Sequence, residues 1–410
     1  MEGVGLIYEA YQSHADLTAP LRAAAKAARR LLAKPWPGMS EGGSMRRMAA
    51  AYELLSRAGL SHTRPAYGID SVTVEGREVA VEEEVALAMP FGSLLHFKKD
   101  MAASQPRVLI VAPMSGHFAT LLRSTARTML ADFDVYITDW HNARDIPLAQ
   151  GKFDLDDFIE ILIAFLAAIG PGAHLVAVCQ PTVAALAATS IMAEDDNPAR
   201  PSSLTLMAGP MDARISPTKV NDLATKHPLD WFKSHLIHYV PLRHPGALRR
   251  VYPGFLQLAG FLSMNLERHI KTHLEFYDNL VKGETAKAEV IRAFYDEYFA
   301  VMDLPAEFFL QTVRDVFQEY TLAKGTMEWR GRKVNPRAIK RMALLTVEGE
   351  KDDICAVGQT MAAQEMCASI RPYFKTHHVQ TGVGHYGVFN GRRWQNEIYP
   401  IVRDTVFNSD

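Results

Sequence analysis

Cysteine is scarce in this 410-residue chain: Cys179, Cys355 and Cys367 are the three. So sparse and odd a set cannot staple a disulfide scaffold, and it favours a reducing compartment. An excess of charge is also lacking. Lys and Arg number 44 against 46 Asp and Glu, a net −2, which excludes a strongly basic nucleic-acid binder. Long apolar runs are missing: Ile161–Ile169 is the longest strongly apolar one, well short of the ~20 residues of a spanning helix. No basic stretch leads into an apolar one at the start, so no signal peptide is expected, and the chain is read as cytoplasmic. Neither a GxxxxGK(S/T) loop nor a GxGxxG turn after a strand occurs, so no nucleotide site is expected. Metal-ligand patterns are weak too. His377 and His378 would point to opposite faces of a strand, and His269 and His273 lack a nearby acidic pair. No metal and no cofactor are expected.

What is present is an alternation of textures. At about 150 residues per domain, the length allows two or three domains, or one large domain with an insertion. Residues 6–34 are predicted helical from Leu6, Ala10, Leu17, Leu21, Ala24 and Ala28, with a basic face from Arg22 onward that is either solvated or surface-docking. Pro35, Trp36, Pro37 and Gly38 end that helix, and a second is predicted over 44–58. Residues 72–82 alternate, with Glu75 and Gly76 as a hairpin turn, and 94–98 read as another short strand. Short strands are predicted at 107–113, an almost wholly apolar run, and at 135–140, 174–179 and 203–208, separated by helices at 119–130, 155–169 and 182–193. That alternation predicts a parallel sheet with helices on both faces. It stops at 213–339, where no convincing buried strand is found and helical patterns rich in aromatics and His appear (269–280, 308–320). Sheet texture returns at 342–348, then a helix around 359–370 and a strand at 373–379. The reading is an α/β protein: a helical extension over 1–68, an α/β core of 69–212 and 340–410, and a helical cap over 213–339.

A strand that runs through a sharp turn into a helix is where α/β-hydrolases hold their nucleophile, usually within GxSxG. Residues 174–185 fit that context. Cys179 replaces the serine, Ala177 is the small residue two before, and Pro181 two after is tolerated at a helix start. The pattern is degenerate, and a small buried cysteine at a strand end fits the local sequence as well. Two further features bear on it. The strand at 344–349 runs into Glu350, Lys351, Asp352 and Asp353, a place for a triad acid or for a solvated acidic loop. His385 lies in a glycine-rich loop after the last strand. The order Cys179, Asp352, His385 is the order used by α/β-hydrolases. Asp352 is the expected acid and Asp353 its alternative. Two N–H donors are needed to hold an oxyanion: the backbone of Gln180, and that of Met114 or Ser115 in the loop 113–118. The cap aromatics Trp231, Phe232, Tyr239, Tyr252, Phe255 and Phe261 are expected to supply an apolar groove, with Trp231, Phe232 and Tyr239 as candidate substrate contacts. Cys355 and Cys367 read as packing residues.

The chain resembles intracellular polyhydroxybutyrate depolymerases. The resemblance is carried by Lys34-Pro35-Trp36, Val111–Arg123, Val176–Thr182 around Cys179, Gly209–Arg214, Glu348–Ile354 and Gly384–Gly391. It implies an α/β-hydrolase fold with a mostly parallel sheet and a helical cap. It also implies Cys179 as nucleophile, Asp352 as acid, His385 as base, no cofactor, and the granule of poly(3-hydroxybutyrate) as substrate and partner in the cytoplasm. Two alternatives stay open. One is a polyester synthase-like acyltransferase, which also uses cysteine on this fold but with glycines where Ala177 and Pro181 stand. The other is a non-catalytic granule-associated protein. A homo-oligomer also stays open.

Overall fold

The computed structural model describes residues 6–32, 43–101, 104–264 and 266–409. The Lys34–Trp36 motif and the breaker at 35–38 lie outside them. The alternating stretch forms β1 (Ser71–Val74) and β2 (Arg77–Met89). Between them Glu75 and Gly76 have φ of 49° and 79°, the left-handed pair that a two-residue hairpin turn requires. β2 pairs next with β3 (Gly92–Lys99), slipping register between Val85 and Leu87. The apolar runs become β4 (Arg107–Val111), β5 (Asp134–Trp140), β6 (His174–Val178) and β7 (Ser203–Met207). β6 and β7 are buried at every position, as strands covered on both faces must be.

The covering helices are α3 (Arg123–Met129), α4 (Leu155–Ile169) and α5 (Thr182–Glu194), with α1 (Leu6–Leu32) and α2 (Gly43–Ser56) preceding the sheet. A reciprocal capping box between Asp154 and Asp157 starts α4. Nearly all of α5 is buried, and its many alanines let it lie close to the sheet.

Residues 213–339 stay outside the sheet. They hold α6 (Lys219–Lys226), α7 (Leu229–His235), α8 (Gly254–Met264), α9 (Leu266–Lys282), α10 (Thr285–Tyr298) and α11 (Ala306–Thr312). They also hold strands that the sequence did not reveal. β8 (His238–Tyr239), β9 (Arg250–Tyr252) and β10 (Leu304–Pro305) form an antiparallel ribbon, and β11 (Glu328–Trp329) pairs with β12 (Arg332–Lys333). Pairings of two or three residues are too short to leave a period in the sequence.

β13 (Ala343–Gly349) and β14 (Lys375–Gln380) then complete a nine-stranded sheet of order β1-β2-β3-β5-β4-β6-β7-β13-β14. From β5 to β14 every pairing is parallel, and β3 runs antiparallel to β5. The expected helix around 359–370 condenses to Ala363–Met366. The turn before it is pinned, because the buried Glu348 carboxylate accepts from the amides of Gly358, Thr360 and Met361 at 2.9, 2.7 and 3.0 Å. With its helices on both faces, the sheet makes this an α/β-hydrolase fold.

α1 and α2 pack on one another, and α2 packs on α9. Tyr8 on α1 donates to the fully buried Asp303 at 2.5 Å. Phe255 of α8 stacks on Tyr11 at 4.0 Å. Arg29 and Arg292 both pair with Glu53. The N-terminal helices are thus built onto the segment 213–339. Among the described residues, no helix is long and apolar enough to cross a membrane.

Candidate active site

Cys179 follows β6 directly and has φ of +66°, a strained value for a residue with a Cβ. The strain is held from both sides. Its amide donates to Met207 O of β7 at 2.8 Å. Its carbonyl accepts from the amide and hydroxyl of Thr182 at the start of α5, at 3.2 and 2.9 Å. Pro181 sits just before α5. Thr182 also explains Gly209: a Cβ there would lie 1.9 Å from Thr182 Oγ1. The half-buried Cys179 therefore projects from a tight strand-to-helix turn.

The acid and the base are brought together by two loops tied through backbone. Lys351 N donates to Val383 O at 2.8 Å and Glu350 N to Gln380 O at 2.9 Å. A Cβ on Gly349 would lie 2.9 Å from Val383 O, so only glycine lets the loops approach. Asp352 Oδ2 is 2.7 Å from His385 Nδ1. Its Oδ1 accepts from the amides of Ile354 and Cys355 at 2.9 and 2.8 Å. Asp353 is the exposed neighbour. Burial by itself would lower the pKa of His385, yet the adjoining Cys179 thiol and the Asp352 carboxylate, both through charge and hydrogen bonding, raise it well above the usual value. The structure brings Cys179, His385 and Asp352 together. The other two thiols are inert by comparison: burial pushes Cys355 well up and Cys367 up to about 12.

Gln180 follows Cys179 at the start of the helix turn, and Met114 and Ser115 lie in the loop after β4. That loop is clamped by the segment 298–303. Gly116 O accepts from Met302 N at 2.9 Å, and His117 pairs with Val301 and donates through Nε2 to Tyr298 O at 3.1 Å. Burial lowers the His117 pKa to about 4, which leaves its imidazole neutral.

Apart from Phe261, the roof consists of residues to which the sequence reading gave no role. Tyr386, next to His385, packs into a cluster with Leu258, Tyr298, Val301 and Phe261. Its phenol is pushed up by burial first, then by Tyr298 and Cys179. Of the six cap aromatics, Phe261 joins this cluster. Trp231 and Phe232 belong to a separate one with Ile237, Ala306, Leu310 and Val313, where Trp231 is stacked between His227 and His235. Tyr239 lies half exposed on β8. Only the adjacency of Tyr386 to His385 could have signalled the roof, since its other members converge from α8 and α10. A cleft of about 830 Å³ lies beside the acid loop, between Arg214, Ile215, Lys324, Arg337 and Met361, and includes none of the three triad positions.

Residues 208–410 match the family described as "PHB de-polymerase C-terminus". No curated protein matches the chain. Similar solved structures include a putative lipase from Acinetobacter baumannii, at 13% identity and TM-score 0.43 over 80% of this chain and 93% of that one. A monoacylglycerol lipase from Paleococcus ferrophilus is similar at 14% identity and TM-score 0.44, over 75% and 97%. A thermophilic esterase from Thermogutta terrifontis is similar at 13% identity and TM-score 0.42, over 83% and 97%.

Proposed function

We propose, from the match of residues 208–410 to the PHB depolymerase C-terminal family, that the chain hydrolyses the ester bonds of poly(3-hydroxybutyrate) through Cys179, His385 and Asp352. The observation that supports this most is the 2.7 Å contact of His385 Nδ1 with a buried Asp352 that is itself fixed by two backbone amides, beside Cys179 on its tight strand-to-helix turn. His385 takes the Cys179 proton while Asp352 fixes the imidazole tautomer. The thiolate adds to the ester carbonyl, and the developing oxyanion is met by the backbone N–H of Gln180 and that of Met114 or Ser115. His385 returns the proton to the departing alkoxide chain end. Water, activated by the same imidazole, then cleaves the thioester and frees the 3-hydroxyacid.

A polymer without charge must be held by apolar surface. The exposed apolar side chains beside the roof are Phe294, stacked on Tyr298, and an aliphatic row on α9. Leu266, Ile270 and Leu274 recur four apart along α9, which adjoins α8. In this reading they dock the granule, and Trp231 and Phe232 serve the inner packing of the cap. Native amorphous granules incubated with the protein release soluble 3-hydroxybutyrate. If CoA is released from 3-hydroxybutyryl-CoA instead, the chain is a polymer synthase. Granule binding without any product would make it a coat protein.

A further inference from the structure

The roof over the triad contains a hydroxyl that packing does not require. Tyr386 follows the base directly, in the tight turn His385–Val388. That turn is held in shape. Gly387 N donates to Gly384 O at 2.9 Å, and a Cβ on Gly387 would lie 2.7 Å from the Val383 side chain. The buried Phe389 backs both rings, its centroid 5.7 Å from that of His385 and 5.7 Å from that of Tyr386. The phenol stands at 88° to the imidazole, with centroids 5.9 Å apart. The base and the phenol thus leave one rigid turn side by side.

The ring of Tyr386 packs against Leu258, Tyr298 and Val301, a place that phenylalanine would fill as well. The hydroxyl needs another reason. Among the described residues no group bonds it. Unlike the buried Tyr298, Tyr386 is part-exposed. It also lies within electrostatic reach of Cys179. Burial raises its pKa first, then Tyr298, Cys179 and Asp353, all in one direction. The phenol therefore stays protonated through neutral pH, as a neutral donor without a partner.

Ester cleavage by a thiol leaves one atom in need of such a donor. A thiol is far more acidic than an alcohol, so the tetrahedral intermediate expels thiolate and returns to ester unless the departing oxygen is stabilised. We propose that Tyr386 is a further catalytic residue, whose hydroxyl donates a hydrogen bond to the ester oxygen that leaves. This rests on the triad reading above. The C–O bond breaks and its electron pair stays on the alkoxide oxygen. That oxygen takes from His385 the proton that came from Cys179, while Tyr386 keeps its own. The side of attack fits. The departing oxygen must lie within reach of His385, whose turn carries Tyr386, whereas the oxyanion donors come from the turns after β4 and β6. Between Leu258, Phe261 and Val301 such a bond is worth more than in water.

The test is a series of 3-hydroxybutyrate esters that differ only in the leaving alcohol: p-nitrophenyl, trifluoroethyl and ethyl. The full chain and Tyr386→Phe are compared by kcat/KM, which reports acylation. The ethyl ester should lose about ten- to a hundredfold, the worth of one hydrogen bond to a developing charge. The trifluoroethyl ester should lose less, and the p-nitrophenyl ester least, because p-nitrophenolate departs without a proton. 3-Fluorotyrosine at the same position, with its more acidic hydroxyl, should speed the ethyl ester relative to the p-nitrophenyl ester; the opposite order overturns the proposal even if the phenylalanine variant fails to fold. An equal loss across the series would put the hydroxyl on the carbonyl oxygen, and no loss would leave the ring as packing alone; either result overturns the proposal. A wild type that cleaves none of these esters would end the triad reading, and this proposal with it.

Discussion

Asp352 grips His385 with one carboxylate oxygen at 2.7 Å and the amides of Ile354 and Cys355 with the other. An amide in its place keeps those backbone bonds, but its NH₂ then faces Nδ1 and forces the wrong tautomer. Asp352→Asn should lower kcat on a soluble ester by about 10³–10⁴ with little change in KM. Asp353→Asn, at the exposed neighbour, should stay within about threefold, as surface changes do. Steady-state kinetics of both variants decides it; the reverse pattern would shift the acid by one residue.

Cys179→Ala replaces one small side chain by another at a half-buried turn, so folding should survive and hydrolysis should vanish. Cys179→Ser keeps a nucleophile that His385 can deprotonate and should leave a low residual rate. Full activity in the alanine variant would end the cysteine mechanism.

The three thiols should separate cleanly under alkylation. Burial holds Cys355 and Cys367 protonated at neutral pH, and the thiolate is the reacting form. Iodoacetamide on the native protein should label Cys179 alone and abolish activity, with all three labelled in denaturant. Peptide mass spectrometry reads the sites, and label on Cys355 in the native state would contradict the packing.

His117 makes acid costly to the fold. Its folded pKa, about 4 against an ordinary 6.5, means that the unfolded chain takes up the proton first as pH falls. Stability from this residue is full above pH 6.5 and is lost on going down toward 4, by about 3 kcal/mol in all. His117→Gln retains a donor for Tyr298 O without the titration. Denaturant curves at pH 7 and pH 4 should show wild type losing ground to that variant by about this amount. A constant difference would mean that His117 is not buried as found.

Tyr8→Phe removes the donor to the buried Asp303 carboxylate. A buried acceptor left without that partner costs about 1–3 kcal/mol. Burial holds Asp303 high, at about 6, so the deficit should be largest at pH 8, where the carboxylate is charged, and should shrink below pH 6. Urea midpoints at the two pH values measure it.

The sequence by itself determined the sheet and the two ends of the reactive turn. Short, mostly apolar runs at 107–111, 174–178 and 203–207 read as strands covered on both faces, and the Ala177-Cys179-Pro181 spacing, though degenerate, suits a strand that turns sharply into a helix. Such signals are local, because each comes from the chain's own periodicity. The short strands β8, β9 and β10 gave no signal, since two or three residues have no period, and β9 finds β10 more than fifty residues away. The sequence favoured Asp352 over Asp353 without excluding the latter; Asp352 is the buried one that meets His385, where Gly349 closes onto Val383. The roof followed the same rule. Trp231 and Phe232 looked available from composition, but an aromatic side chain goes where its neighbours exclude water. Tertiary packing placed them in a cluster with Leu310, and brought Phe261 and Tyr298 from α8 and α10 onto Tyr386. Local patterning selects elements because it acts within one turn or one pleat. Contacts between distant elements decide the site because burial is shared among residues that the sequence keeps apart.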